Sequence, residues 1–361
     1  MKLVIDVRMI NASGIGRYLK NVLPGIVSEF SQVVVLGNKD EIVQFEWASK
    51  VEIVNFNAKI YSVKEQILYP FLIPRCDVFW SPHFNFPFLP FRAKKRVVTI
   101  HDVFHLSGKF PISLIIKKYA YLLYKNAVWK ADLIFTVSEF SKAEIIKHTL
   151  ANPNKIKVTH CGVDLSFFRA KNIEEKLQLP REYILYVGNV KPHKNLITLL
   201  KAYSILPQKF KSKCKLVIVG KKEGFMTRDN QLEYYIKKND LEKNVVFTGH
   251  INDISLSQYY QNCSLFVFPS LYEGFGLPIL EALAAKTTVL ASNCASLPEI
   301  GGEAVYYFDP TNHIELAQKI ERYVNSTNTN PEMSKKSEIQ LKIFTWEKTI
   351  ENHLEGFVSI K

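Results

Sequence analysis

The chain has 361 residues, 47% apolar and 22% charged, an ordinary globular composition that excludes a disordered or fibrous protein. Its 47 Lys and Arg against 34 Asp and Glu leave a net charge of +13, which calls for an acidic partner: nucleic acid, an anionic membrane or a phosphorylated small molecule. Cys76, Cys161, Cys214, Cys263 and Cys294 form no Cys-x-x-Cys pair, which argues against a disulfide framework and a zinc site and for buried thiols in a reducing compartment.

Asp6 breaks the first apolar run, 3–7, so the start does not read as a signal peptide. No later segment reaches the roughly 18 uncharged apolar residues of a membrane-spanning helix, so a soluble or peripheral protein is expected. After the first run comes Asn11-Ala12-Ser13-Gly14-Ile15-Gly16-Arg17, where Gly14 and Gly16 let backbone N–H groups approach an anion at a helix N-terminus. A plain tight turn accounts for the same residues. A dinucleotide fingerprint would need a third glycine where Leu19 stands and a carboxylate about twenty residues on, where Leu36-Gly37-Asn38 ends the next run, so a dehydrogenase is disfavoured.

Further short aliphatic runs at 33–36, 51–54, 78–80, 97–100 and 133–137 predict strands, and 184–187, 216–219, 245–247, 265–268 and 288–291 continue the series. Near-continuous apolar runs separated by helical segments are what parallel strands buried on both faces require, so the predicted class is α/β, doubly wound. The polar break between the two series predicts a linker at 169–179 joining two Rossmann-like domains, 1–170 and 171–340, with a ligand cleft at the carboxyl ends of the strands. After a polar gap at 325–337, the stretch 341–360 predicts one amphipathic helix with Phe344, Trp346, Ile350, Leu354 and Phe357 on its apolar side.

The run 97–100 delivers His101-Asp102 to a strand end, although a satisfied structural histidine is the commoner case. His83 and His105 lie nearby as acceptor-side candidates. In the second half, Tyr272-Glu273-Gly274-Phe275-Gly276-Leu277-Pro278-Ile279-Leu280-Glu281 follows the run 265–268. Gly-Phe-Gly opening a helix offers backbone donors and the positive end of a helix dipole, suited to a diphosphate. Glu273 falls in the turn and Glu281 on the helix, so the two carboxylates can address different parts of one extended ligand. The plain alternative is a strand, a glycine turn and a helix with two solvated glutamates.

The spacing of Glu273 and Glu281 around Gly-Phe-Gly-Leu-Pro resembles the signature of the retaining family 4 glycosyltransferases of the GT-B fold. Tyr186-Val187-Gly188-Asn189-Val190-Lys191-Pro192-His193-Lys194-Asn195 is similar to that family's diphosphate turn. Leu297-Pro298-Glu299-Ile300-Gly301, Thr136-Val137-Ser138-Glu139-Phe140-Ser141 and Cys161-Gly162-Val163-Asp164 resemble its other landmarks, in order from Gly14 to Trp346.

The resemblance implies two Rossmann-like domains facing across a cleft, with 341–361 crossing back to the first. It implies that Glu273 contacts the donor sugar, Glu281 the ribose, Lys194 the diphosphate, and His101 the region of the donor sugar. The amides of Gly274, Phe275, Gly276 and Leu277 bind phosphate, with Gly14, Gly16, Gly188 and Asn189 also on the donor side. Asn189 stands where many members carry arginine, so Lys191 or His193 supplies a second charge, or Lys194 and the glycine amides suffice. No Asp-x-Asp occurs, so a metal-independent front-face transfer follows, with no resident cofactor. The branch resembled is that of bacterial surface-polysaccharide mannosyltransferases, with GDP-mannose as the favoured donor and a UDP-sugar as the other choice.

Residues 1–170 carry 23 Lys and Arg against 13 Asp and Glu, and residues 171–361 carry 24 against 21. The excess thus belongs to the first half, which in this family binds the acceptor. It gathers at Lys94-Lys95-Arg96 and at 112–130, where Lys117 and Lys118 stand among Ile115, Ile116 and Tyr119. An interfacial membrane contact and a core-facing helix with solvated lysines are both consistent with that pattern. The expected partners are a nucleotide sugar, a glycan or lipid-linked glycan and an anionic membrane surface, rather than nucleic acid, in a cytoplasmic or peripheral inner-membrane location. A sugar-nucleotide epimerase, a phosphorylase of the same fold and a glycan- or nucleic-acid-binding protein are the competing readings.

Overall fold

Leu3, Val4 and Ile5 are fully buried and form the middle of β1 (Lys2–Asp6), at the centre of the first sheet. In the computed structural model, which describes residues 1–108, 110, 112–169, 179–220, 230–249, 251–325 and 331–361, β1 pairs in parallel with β2 (Gln32–Gly37) and β4 (Cys76–Ser81). With β3 (Glu52–Asn55), β5 (Ala93–Thr99), β6 (Leu133–Thr136) and β7 (Ile156–Val158) the order is β3-β2-β1-β4-β5-β6-β7, parallel throughout. A second parallel sheet has the order β10-β9-β8-β11-β12-β13, from β8 (Glu182–Val187), β9 (Cys214–Val219), β10 (Val245–Gly249), β11 (Leu265–Phe268), β12 (Val289–Ser292) and β13 (Tyr306–Phe308). Parallel strands need crossovers, and helices supply most of them, giving two Rossmann-like α/β units; β4 and β5 are joined instead by 82–92, which holds no helix. Strand order reverses between β1 and β4 in one sheet and between β8 and β11 in the other, and loops leaving the strand ends at such a reversal form ligand sites.

The two compact units are Met1–Gly162 with Trp346–Lys361, and Val163–Thr345. Most of the linker expected at 169–179 falls on residues 170–178, outside the described residues. Two edge strands, β7 and β13, escaped the sequence reading because each is only three residues long and neither is an aliphatic run: β7 is Ile-Lys-Val and β13 Tyr-Tyr-Phe. The single helix expected at 341–360 is two, Pro331–Ile343 and Trp346–Ser359, and the first begins inside the stretch read as a polar gap. They part at Phe344, which is buried against Phe275 in the second unit and whose carbonyl accepts the Val163 N–H. Trp346 then opens a helix that packs on Ser13–Glu29 in the first unit.

Candidate active site

The loop leaving β8 is stitched to the loop leaving β11 across the strand reversal. Asn195, in the left-handed region at φ 56°, donates through Nδ2 to the carbonyls of Pro269 (3.0 Å) and Pro310 (2.9 Å), and the Leu271 N–H donates to His193 O at 2.8 Å. This stitching brings Lys194 Nζ within 2.5 Å of Glu273 Oε1, with only 19% and 13% of the two side chains exposed. Ser296 Oγ fastens the same turn from a third loop by donating to the carbonyls of Glu273 (3.0 Å) and Phe275 (2.5 Å). Burial, together with the Glu273 carboxylate, pushes the Tyr186 phenol up, and its hydroxyl donates to Asn189 O at 3.3 Å, holding the Gly188–Asn189 turn.

Gly276 precedes the helix Leu277–Ala284 at φ 122°, and a Cβ there would meet Leu297 Cδ2 at 3.0 Å. Only glycine fits that turn without strain. Gly274 and Phe275 belong to the turn and Leu277 begins the helix, so the residues chosen for their amides all lie at its N-terminal end. Glu281 is buried on the same helix and accepts the Tyr260 hydroxyl at 2.9 Å. The two carboxylates therefore differ in kind: Glu273 is held by a lysine at the strand reversal, and Glu281 by a phenol further along the helix.

In the first unit, His101 follows β5. Its backbone is clamped by Thr136 Oγ1, which donates to Ile100 O at 2.8 Å, and Ser141 Oγ, which donates to His101 O at 2.9 Å. These two bonds give the Thr136–Ser141 landmark a physical role. His101 Nε2 donates to Pro82 O at 3.1 Å, so its proton sits there, and burial lowers its pKa and keeps the ring neutral. Asp102 instead accepts the Phe104 N–H at 2.8 Å, so the two side chains of the His-Asp pair turn to different partners.

His83 is buried. Its Nδ1 accepts the Asn85 N–H (3.3 Å), so Nε2 donates to the Tyr61 hydroxyl at 3.0 Å, and burial with His101 nearby pushes its pKa to about 3. His105 is partly buried beside Phe104, with ring centroids 5.6 Å apart. Gly16 is required by packing, since a Cβ there would lie 2.5 Å from Ile10 O, whereas Gly14 is exposed at the start of its helix.

Two features here were not foreseen. Arg8, just beyond β1, lies between Asp6 (Nη2 to Oδ2, 2.6 Å) and Glu65 (Nη1 to Oε1, 2.6 Å), over the Phe56 ring at 3.9 Å. Tyr69 donates its hydroxyl to Asp6, and Asn85 Nδ2 donates to Glu65 at 2.5 Å. Burial opposes ionisation of Asp6, yet the Arg8 charge and these bonds outweigh it and hold its pKa low, while burial pushes Glu65 up. The second is His353, on the returning helix Trp346–Ser359. Its Nδ1 donates to Thr349 O (2.7 Å), so Nε2 accepts the Tyr18 hydroxyl at 2.5 Å, and the Tyr18 ring meets His101 edge-on at 5.0 Å. His353→Ala is expected to lower stability by about 1–3 kcal/mol by removing the acceptor of the buried Tyr18 O–H, whose oxygen Thr99 also bonds, and His353→Gln, which keeps an acceptor, by less. Urea denaturation of the two variants checks this; equal losses would show that the bond is immaterial.

The basic residues do not form one patch. Lys94, Lys95 and Arg96 lie in the N-terminal half of β5, at the opposite end of that strand from His101, and Lys94 pairs with Asp77 at 2.6 Å. Lys117 and Lys118 lie near the start of the helix Leu114–Lys130, lining a cavity with Leu106, Ser107 and Gly108 just beyond His105. Among the described residues, no three His, Cys, Asp or Glu side chains gather as metal ligands would.

Residues 12–167 match the family described as Glycosyltransferase Family 4, and residues 168–340 match Glycosyl transferases group 1. The O-antigen chain mannosyltransferase B of Escherichia coli is 28% identical over 362 residues, 93% of each chain. The serotype-specific mannosyltransferase WbdA of Escherichia coli is 31% identical over 242 residues, which cover 64% of this chain and 29% of WbdA; the chain thus spans under a third of that relative. Among solved structures, Anabaena HepE in complex with UDP and glucose superposes with a TM-score of 0.77 at 18% identity, over 99% of this chain and 100% of HepE, a likeness of fold.

Proposed function

The chain belongs to the family 4, group 1 glycosyltransferases, and on that footing we propose that it moves a hexose, mannose in the first instance, from a nucleotide diphosphate sugar to a glycan or lipid-linked glycan. The observation that carries this reading is the Lys194–Glu273 pair, fixed at the strand reversal of the second unit next to the N-terminus of Leu277–Ala284. An ammonium has three donors, so Lys194 can keep Glu273 and still bind a diphosphate oxygen, with the helix N-terminus sharing the charge. Glu273 is left an oxygen for sugar hydroxyls, and Glu281, steadied by Tyr260, addresses the ribose.

In the transfer, the bond from the sugar C1 to the diphosphate oxygen breaks, and a bond from C1 to the acceptor oxygen forms on the same face. The leaving phosphate takes the acceptor's hydroxyl proton. Lys194 stabilises the charge growing on that phosphate, which is where preorganised charge acts most on the rate. His101 stands with its proton on Nε2, given to Pro82 O, and its lone pair on Nδ1, so it orients the sugar as a neutral acceptor rather than as a cation. Proton NMR of the product is expected to show the donor's anomeric configuration; an inverted anomer would overturn the retaining route.

Mannose is supported by the names of two relatives, O-antigen chain mannosyltransferase B and WbdA, and GDP-mannose is the donor we propose. Titration calorimetry with GDP, UDP and dTDP is expected to show GDP binding most tightly. Binding of UDP without GDP would remove GDP-mannose and leave a UDP-sugar as donor. A cytoplasmic side for the reaction is part of this reading, supported by five cysteines that are all free thiols. No helix among the described residues is long and apolar enough to cross a membrane.

A further inference from the structure

The helix Leu114–Lys130 contains no acidic residue and is apolar on two opposite sides. At 100° per residue, Ala120, Leu123, Tyr124 and Ala127 share one side, and Leu114, Ile115, Lys118, Leu122, Lys125 and Trp129 the other. The first side is buried in the core of its unit. On the second, Ile115 and Trp129 are each 80% exposed and Leu114 75%. A core-facing role therefore accounts for only one side of this helix. An outward side of large apolar groups interleaved with lysines is too hydrophobic to be explained as ordinary solvated surface.

We propose that this outward side docks the protein onto an anionic lipid surface. The helix lies along the interface for about 22 Å from Leu114 to Trp129, with its apolar groups among the acyl chains and Lys118 and Lys125 at headgroup phosphates. Charge selects lipid over a second copy of the chain. A symmetric pairing of two such faces would set Lys118 and Lys125 of one copy near those of the other, whereas an anionic surface attracts all of them. The excess of basic residues in the first half of the chain adds to the attraction.

The four tryptophans provide the probe, since Trp47, Trp80 and Trp346 are buried and Trp129 is exposed. With vesicles of phosphatidylglycerol and phosphatidylcholine carrying brominated acyl chains, tryptophan emission is expected to shift to the blue and be quenched. Binding should weaken with added salt and be at least tenfold weaker on pure phosphatidylcholine. In co-sedimentation, Lys118→Glu/Lys125→Glu and Ile115→Ser/Trp129→Ser should each lose at least tenfold in binding while keeping the wild-type circular dichroism and melting temperature. The proposal is overturned by absent binding, by equal binding to neutral vesicles, or by double variants that bind as the parent does. It is equally overturned if ultracentrifugation finds a dimer that Ile115→Ser/Trp129→Ser dissolves. None of these readouts depends on the transferase activity.

Discussion

Replacing Lys194 by alanine is expected to lower kcat by at least about tenfold with a donor that the wild type turns over. The lysine is held 2.5 Å from Glu273 by a network that does not include its own side chain: the Asn195 bonds to Pro269 and Pro310 and the Ser296 bonds to the Glu273 turn. The variant should therefore keep the fold of the second unit and lose the charge that meets the leaving phosphate. Glu273→Ala should cost at least about as much, by removing a contact to the donor sugar. Since the two side chains are paired directly, at 2.5 Å, the double variant should lose less than the product of the two single losses. Steady-state kinetics on the three variants test this, and near wild-type turnover in Lys194→Ala would refute the assignment.

Arg8→Met is expected to destabilise the protein by about 3–5 kcal/mol, because it leaves Asp6 and Glu65 buried with no counter-charge. The sign of its pH dependence follows. Without Arg8, burial raises both carboxyls above their unfolded values, so a penalty grows as pH rises through the carboxylate range and is relieved when they are protonated. The deficit against wild type should be largest at neutral pH and shrink towards pH 4. Asp6→Asn and Glu65→Gln added to Arg8→Met should recover part of it, since a neutral cluster has no charge to desolvate. Denaturant titrations at several pH values measure this, and a deficit independent of pH would show that packing over Phe56, not charge, is what Arg8 provides.

The legible parts of this protein are those whose partners lie close in the chain. Gly276, Leu277 and Glu281 could be read as a glycine turn opening a helix because a turn and the helix it begins are adjacent residues. Lys194 could be named only by likeness to a motif: nothing local to it indicates a carboxylate 79 residues away. Arg8, Tyr18 and His353 could not be named at all. The hydroxyl of Tyr18 meets a ring 335 residues further on, and a histidine in an amphipathic helix looks the same whether or not such a partner exists.

The α/β class, most of the strands and the glycine turn before Leu277–Ala284 are legible in the sequence, because strands buried on both faces are near-continuous apolar runs and a positive-φ turn favours glycine. Folding alone settles which side of Leu114–Lys130 is core, that 331–361 breaks into two helices at Phe344, and that Arg8 joins Asp6 to Glu65. The reason is physical. Periodicity records that a face is apolar, but what covers that face, and which charge answers a buried charge, is settled by segments brought together only when the chain has folded.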